Sequence, residues 1–444
     1  MRIDLPNPDR FKQIFDKTLS KPLVEKVIGI STDSRDIKEG DLYIAIAGEK
    51  VDGHSFLTDV FDKGASSALV SKPVDESRKN QIKVDDPINA IGKVARAWRD
   101  QFQIPLIGIT GSNGKTSTKE LLKYILSAKY DIHATEGNYN TSIGLPLTLL
   151  KLTEYHGISI LEMGANQPND IEKLCNIAHP DHGLITNIAP AHLEGFGDIE
   201  SVAKTKGELF QYLTEGKSFI NSADNRINEL KIYGDSITFG LTSNCDYPAD
   251  FHHDENGLII LTIDTQEVHT NSVNLAFAKN IIACSAIASE LNISWEAIKD
   301  RITTFKPPKG RCEIKTNGDI TIIDDTYNAN VESTMAAIDY LKAFSGNGKR
   351  IFVFGDMLEL GHSSEEQHRI IGEKCQKEEL SAVFTFGNET IIVHEEINDS
   401  ILHEHFDKKE TLLSSLNDIV SKGDKILVKG SRGMRMEEIV EEII

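Results

Sequence analysis

The chain has 444 residues, 39% hydrophobic and 26% charged. That is material for roughly two to four folded domains, it excludes wholesale disorder, and no run approaches the roughly 20 apolar residues of a membrane span. The formal net charge of −20 lacks the basic footprint of a nucleic-acid binder, and an anionic ligand would need cations gathered at its own site.

The five cysteines are widely spaced and include no Cys-x-x-Cys pair, so neither a disulfide framework nor a zinc knuckle is expected. The start, Met1-Arg-Ile-Asp-Leu-Pro, has no apolar signal core. A cytoplasmic protein without membrane insertion is expected.

Residues 1–103 read as a first α/β unit, with strands at 41–46 and 68–71 and a short helix at 56–63. Ser31-Thr-Asp-Ser-Arg35 combines three hydroxyls with a guanidinium. Such a set suits a phosphate or sugar, but by its chemistry alone it reads first as a capped turn with an exposed ion pair. Residues 47–56, Ala-Gly-Glu-Lys-Val-Asp-Gly-His-Ser-Phe, read as a loop feeding a helix, in which His54 alone says little.

Residues 104–308 open with an apolar strand and Gly108-Ile-Thr-Gly111-Ser-Asn113-Gly114-Lys115-Thr116-Ser117. Leu121, Leu122, Ile125 and Leu126 then fall on one helical face. Strand, glycine-rich turn, Gly-Lys-Thr and helix is the layout of a phosphate-binding loop, although Ile109 stands where the general pattern has a glycine. Backbone amides at the helix start would face the anion, Lys115 would reach the β/γ-phosphates, and Thr116 would sit on Mg²⁺. Residues 136–146, Glu-Gly-Asn-Tyr-Asn-Thr-Ser-Ile-Gly-Leu-Pro, read as a loop.

Glu162 ends an apolar strand beside the phosphate loop, where nucleotide enzymes hold Mg²⁺; a helix-capping acid is the other reading. His192 follows a second strand, 181–188, expected to run parallel to the first, and ligands bind beyond the C-terminal ends of such strands. An amphipathic helix at 201–210 carries Lys204 and Lys206. Residues 216–273 alternate strands and turns, including a hairpin about Asn256-Gly257. The adjacent His252-His253 pair reads as surface. A helix follows at 276–291.

Phe305-Lys-Pro-Pro-Lys-Gly-Arg311 reads as a linker into residues 309–444. There, strands at 320–325, 350–355, 382–386 and 425–429 alternate with helices at 333–344, 365–377, 409–419 and 434–443, as in a parallel α/β domain. Three polar runs follow strands: Asp324-Asp-Thr-Tyr-Asn-Ala-Asn330, Gly355-Asp-Met-Leu-Glu-Leu-Gly361 and Val428-Lys-Gly-Ser-Arg-Gly433. They are expected to cluster at one edge of the sheet as a binding face.

In order and over nearly the whole chain, these runs resemble those of the Mur ligase family, the ATP-dependent amide-bond-forming enzymes of cell-wall synthesis. The resemblance rests on Thr-Gly-Ser-Asn-Gly-Lys-Thr, Glu-Met-Gly-Ala-Asn, Asn-Ile-Ala-Pro-Ala-His-Leu-Glu-Gly-Phe-Gly, the Ser-Thr-Asp-Ser-Arg region and Asp-Asp-Thr-Tyr-Asn-Ala-Asn. It implies three domains: a small α/β UDP-substrate-binding domain (1–103), a central P-loop parallel-sheet ATP-binding domain (104–308) and a C-terminal Rossmann-like α/β ligase domain (309–444). By the resemblance ATP lies on Gly111, Asn113, Gly114, Lys115, Thr116 and Ser117, with Asn280, Arg311 and Asp325. It implies one Mg²⁺ on Thr116 and a second held by Glu162, His192 and a carbamylated Lys206. Catalysis is implied for Lys115, Glu162, His192 and Lys206.

The UDP end is implied near Ser34, Arg35 and the loop carrying Gly48, Asp52 and His54. Asn138 and Asn140 reach the reaction centre; Tyr327 and Asn328 lie on the subgroup's run, and Lys429, Ser431 and Arg432 near the incoming dipeptide. That subgroup attaches D-Ala-D-Ala to UDP-MurNAc-tripeptide, both small molecules, and a monomer is expected. Three departures from the family pattern are Thr141 for an asparagine, Leu275-Ala-Phe-Ala278 before Asn280, and Val331 for a proline. A diamino-acid-adding relative and a non-catalytic nucleotide-binding homologue are the alternatives. A GTPase switch lacks its guanine-reading run.

Overall fold

The structure is a computed structural model and describes residues 1–48, 51–73, 80–378 and 380–443. Glu49 and Lys50 of the expected substrate loop lie outside the described residues. The first sheet is ordered β1 (Arg2–Asp4), β2 (Gly29–Ser31), β3 (Asp41–Ile44), β4 (Ser67–Val70) and β5 (Gln81–Lys83). Only the β1–β2 pair is antiparallel.

The second sheet contains β6 (Leu106–Thr110), β7 (Ile132–Ala134), β8 (Ile158–Glu162), β9 (His182–Ile185), β10 (Lys217–Asn221), β11 (Asp235–Gly240), β12 (Tyr247–His253), β13 (Ile259–Ile263) and β14 (Gln266–His269). Its order is β14-β13-β12-β11-β10-β9-β6-β8-β7. β6 therefore lies between β8 and β9, parallel to both. β6 and β8 are buried at every residue, as strands covered by helices on both faces must be, and that is why they read as continuous apolar runs. The expected hairpin is β12–β13. Its turn is held by Asp254, whose carboxylate accepts the amides of Asn256 and Leu258.

Helix Pro87–Arg99 belongs to two layers. It packs on Pro8–Leu19 of the first unit and on Gly144–Leu149 and Asp170–Ala178 of the second, and one continuous core runs through all four. Trp98, fully buried, donates to the Leu152 carbonyl at 3.1 Å. The other face of the second sheet is covered by Lys115–Leu126, Leu275–Glu290 and Trp295–Thr304.

The third sheet holds β15 (Glu313–Asn317), β16 (Ile320–Asp325), β17 (Arg350–Gly355), β18 (Ala382–Phe386), β19 (Leu402–Phe406) and β20 (Lys425–Lys429), in the order β15-β16-β20-β17-β18-β19. The four expected strands are present. The sheet is not wholly parallel, however, because β15 forms an antiparallel edge on β16. β15 is polar, Glu-Ile-Lys-Thr-Asn, and largely exposed, so it carried no apolar signal. β16, β20 and β17 are adjacent, and the three polar runs that follow them come together at one end of the sheet. Among the described residues no helix is long and apolar enough to cross a membrane.

Candidate active site

The phosphate loop is shaped by two glycines. Gly111 has φ +144°, and a Cβ there would stand 1.9 Å from Thr186 Oγ1; Gly114 has φ +78° and faces the Asn280 amide. These positions admit no side chain without displacement. Helix Lys115–Leu126 begins immediately after. Lys115 Nζ donates to the carbonyls of Gly111 (2.7 Å) and Ser112 (3.3 Å), and burial pushes its pKa below the ordinary lysine value. The loop is tied to the segment after β9: Asn113 N–H donates to Asn187 Oδ1 and Ser112 Oγ to the Ala189 carbonyl.

Glu162, at the end of β8, is 3% exposed. Its Oε2 accepts from Thr116 Oγ1 at 2.9 Å and its Oε1 from Asn140 Nδ2 at 2.7 Å. Both partners are neutral, and no ion pair reaches it among the described residues. Lys206, on helix Ile199–Tyr212, is likewise 3% exposed and has no hydrogen-bond or ion-pair partner among the described residues. Burial first, and the nearby Lys115 charge second, push its amine well below the ordinary value. His192, held at φ 53°, has Nδ1 2.6 Å from Glu359 Oε2. Burial lowers its pKa against the opposing pull of Glu359. Among the described residues no group of three or more His, Cys, Asp or Glu is arranged to hold a metal. The expected set draws instead on Thr116 and on modification of Lys206.

Facing this centre is the edge of the third sheet, across a cavity of about 1140 Å³. Arg311 donates from Nη2 to Thr116 Oγ1 at 3.1 Å and lies 3.9 Å over the Tyr327 ring. Asn113 and Asn187 both donate to Glu332 Oε2, and Asn330 donates to Asn113 Oδ1 at 2.7 Å. The cavity wall carries Lys115, Arg226, Lys279, Lys306, Arg311 and Lys429 against an equal number of carboxylates. It is thus locally balanced in a chain of net charge −20, which answers the requirement for cations at an anion site. Ser117, Asn140, Asn280, Tyr327 and Asn328 also line it.

Other expected site residues have different surroundings. Asp325 and Lys429 line the wall but engage each other: Lys429 Nζ is 2.5 Å from Asp325 Oδ2 and also donates to the Asn328 carbonyl. β16–β20 register sets these two residues opposite one another. Ser431 Oγ accepts the Leu358 amide at 2.8 Å, and Arg432, largely exposed, pairs with Glu437 and lies 6.0 Å from the Tyr327 ring. Neither lines the cavity; nor does Asn138, which is exposed in its loop.

Ser34, Arg35, Gly48, Asp52 and His54 lie on the first unit, outside the cavity. Arg35 is exposed, in a two-pronged pair with Asp33. His54 is buried and fully engaged. Its Nε2 accepts the Ser71 amide at 3.0 Å, so Nδ1 carries the proton, 2.6 Å from Asp52 Oδ1. It braces the loop from within. Asn187, Asn330, Glu332 and Glu359 were not expected at the site. Asn187, Asn330 and Glu359 sit in runs already noted, whereas nothing local marked Glu332.

Three family models match the chain: the Mur ligase middle domain over residues 109–288, the Mur ligase glutamate ligase domain over 310–432, and the Mur ligase family catalytic domain over 26–99. The chain is 35% identical over 442 residues to the UDP-N-acetylmuramoyl-tripeptide–D-alanyl-D-alanine ligase of Bacillus subtilis (strain 168), with 96% of each chain covered. Among solved structures it is similar to MurF from Acinetobacter baumannii (29% identity, TM-score 0.89, 97% of this chain and 98% of that one). It is also similar to the MurF ligase from Thermotoga maritima in complex with ADP (30% identity, TM-score 0.83, 93% and 96%).

Proposed function

The chain belongs to the Mur ligase family, and from that premise we propose that it joins D-alanyl-D-alanine to UDP-N-acetylmuramoyl-tripeptide with cleavage of ATP to ADP and phosphate. The observation that carries the reading is the cavity in which the phosphate loop and Glu162 face Arg311 and Tyr327. Full-length likeness to relatives of that name supports the choice of subgroup, as does the Asp324–Asn330 run.

A carboxylate oxygen is a poor leaving group, so it must be activated before an amine can displace it. The tripeptide carboxylate attacks the γ-phosphorus and ADP departs, leaving an acyl phosphate. The free amine of the dipeptide attacks the acyl carbon, loses a proton, and phosphate leaves. Such transfers depend on positioning and charge neutralisation. Lys115 exchanges the Gly111 and Ser112 carbonyls for phosphate oxygens. Arg311, fixed over Tyr327, adds a planar cation from the opposite wall.

The residues fit a divalent cation, Mg²⁺. Among the described residues Glu162 is a buried carboxylate with neutral hydrogen-bond partners only, and Lys206 a buried amine without an acid. Thr116 would hold one such cation and Glu162, His192 and a Lys206 carbamate a second, and when bound they supply charge neutralisation between carboxylate and phosphate. A neutral buried amine is the form that adds CO₂, and the product is an anion. All substrates are small molecules met by one chain, which supports a monomer acting in the cytoplasm where ATP is available.

The test is phosphate release from ATP with UDP-MurNAc-tripeptide, with and without D-Ala-D-Ala. Release that depends on the dipeptide is expected. Release only with a free diamino acid and a dipeptide-bearing nucleotide would make this a diamino-acid-adding ligase instead, and no release with any pair would favour a non-catalytic role.

A further inference from the structure

The Gly355–Gly361 run has no part in the chemistry above, yet it makes the only third-unit contact to a side chain of the proposed metal set other than Thr116 among the described residues. Glu359 reaches across the cavity to His192, Oε2 to Nδ1 at 2.6 Å, and its carbonyl accepts the Glu194 amide at 3.4 Å. A carboxylate can only accept, so the imidazole proton sits on Nδ1 and the lone pair on Nε2.

The segment that carries Glu359 is held from behind by its own unit. The buried Asp356 carboxylate accepts the amides of Asn388, Glu389 and Thr390 at 2.9, 3.0 and 2.9 Å. The Met357 amide donates to His368 Nε2 at 3.1 Å, and the Leu358 amide to Ser431 Oγ at 2.8 Å. Glu359 itself is held at φ 63°. Backbone fixed at successive residues, next to an exposed carboxylate in a left-handed conformation, aims that carboxylate and gives Ser431 a role apart from substrate.

We propose that Glu359 is a positioning residue that accepts the Nδ1–H of His192, and so leaves Nε2 as the free donor atom of the active centre only when the third unit is docked on the second. Docking and completion of the centre are then one event. This inference rests on the ligase reading given above.

The experiment compares full-length wild type with Glu359→Ala, Glu359→Gln, His192→Ala and the double variant Glu359→Ala/His192→Ala. It measures kcat and the KM for ATP, and Mn²⁺ affinity by electron paramagnetic resonance. Glu359→Ala is expected to lower kcat and Mn²⁺ affinity by about 10- to 100-fold, as loss of a carboxylate behind a metal-ligating imidazole does. The KM for ATP stays near the wild-type value. Glu359→Gln, whose amide oxygen still accepts from Nδ1–H, recovers most of the loss, and the double variant loses no more Mn²⁺ affinity than His192→Ala alone.

Wild type without dipeptide-dependent phosphate release would overturn the ligase reading itself. Wild-type turnover with Glu359→Ala unchanged, or with additive losses in the double variant, would leave that reading standing and overturn the role of Glu359.

Discussion

Lys206 is a buried amine with no acid to meet it among the described residues. Keeping an unpaired ammonium there would cost several kcal/mol, so burial favours the neutral amine, the form open to carbamylation. Removing CO₂ and bicarbonate from the assay should lower the rate, and adding bicarbonate should restore it. A ¹³C carbamate resonance should appear in wild type grown or equilibrated with labelled bicarbonate and be absent from Lys206→Arg. Lys206→Arg at full activity would show that no carbamate is needed. At this scale the sequence named Lys115, Thr116 and Glu162 because each sits in a local run with chemical meaning, whereas Lys206, on an amphipathic helix where a lysine reads as solvated, was singled out by the family resemblance alone and is in fact buried. The sequence did not reveal that His54 and Ser431 hydrogen-bond to their own unit's backbone, because a polar side chain in a loop reads alike whether it faces a ligand or braces the backbone from behind.

Two elements set the geometry of the phosphate site. The turn from β6 into helix Lys115–Leu126 needs Gly111 free of a side chain, since a Cβ would stand 1.9 Å from Thr186 Oγ1. Gly111→Ala is therefore expected to abolish ADP binding in calorimetric titration while the far-UV spectrum stays native-like; unaltered affinity would refute this account of the turn.

Helix Gly144–Leu149, which follows the loop bearing Asn140, is anchored through His133 on β7. Its Nε2 donates to the Thr148 carbonyl at 2.9 Å and its Nδ1 accepts from Ser159 at 2.8 Å. Burial lowers its pKa from 6.5 to about 4. The folded state thus resists the proton that the unfolded state accepts, and the contribution, full above pH 6.5, is lost as pH falls towards 4. The difference corresponds to about 3 kcal/mol. In urea unfolding at pH 7.5 and 4.5, His133→Gln should lose less stability on acidification than wild type; equal losses would exclude this histidine as a source of acid sensitivity. Element types were legible here from apolar periodicity. β7, three residues long and only half buried, was not.

Across the whole molecule, the third unit meets the second at the site through a few polar contacts: Asn330–Asn113, Glu332 with Asn113 and Asn187, Arg311–Thr116 and Glu359–His192. Polar inter-domain contacts of this kind permit relative motion, and closure around ligands is the usual use of it. The scattering radius of gyration should fall when ADP and UDP-MurNAc-tripeptide are added, and Glu332→Ala should enlarge the ligand-free value. An unchanged radius in both comparisons would mean the docked arrangement is permanent. The first and second units behave differently, because helix Pro87–Arg99 places one apolar core through both.

The sequence by itself determined the longer apolar strands, the phosphate loop and the acidic strand end. These depend on apolar periodicity and on residues within about a dozen positions of each other. Tertiary structure alone decided which polar groups meet. β20, nearly last in the chain, inserts between β16 and β17, and that register sets Lys429 against Asp325, 104 residues away. Docking of the third unit sets Glu359 on His192, 167 residues away. A run of sequence carries its own propensity and hydrophobic pattern, but a hydrogen bond between distant residues exists only once both backbones have been fixed by packing.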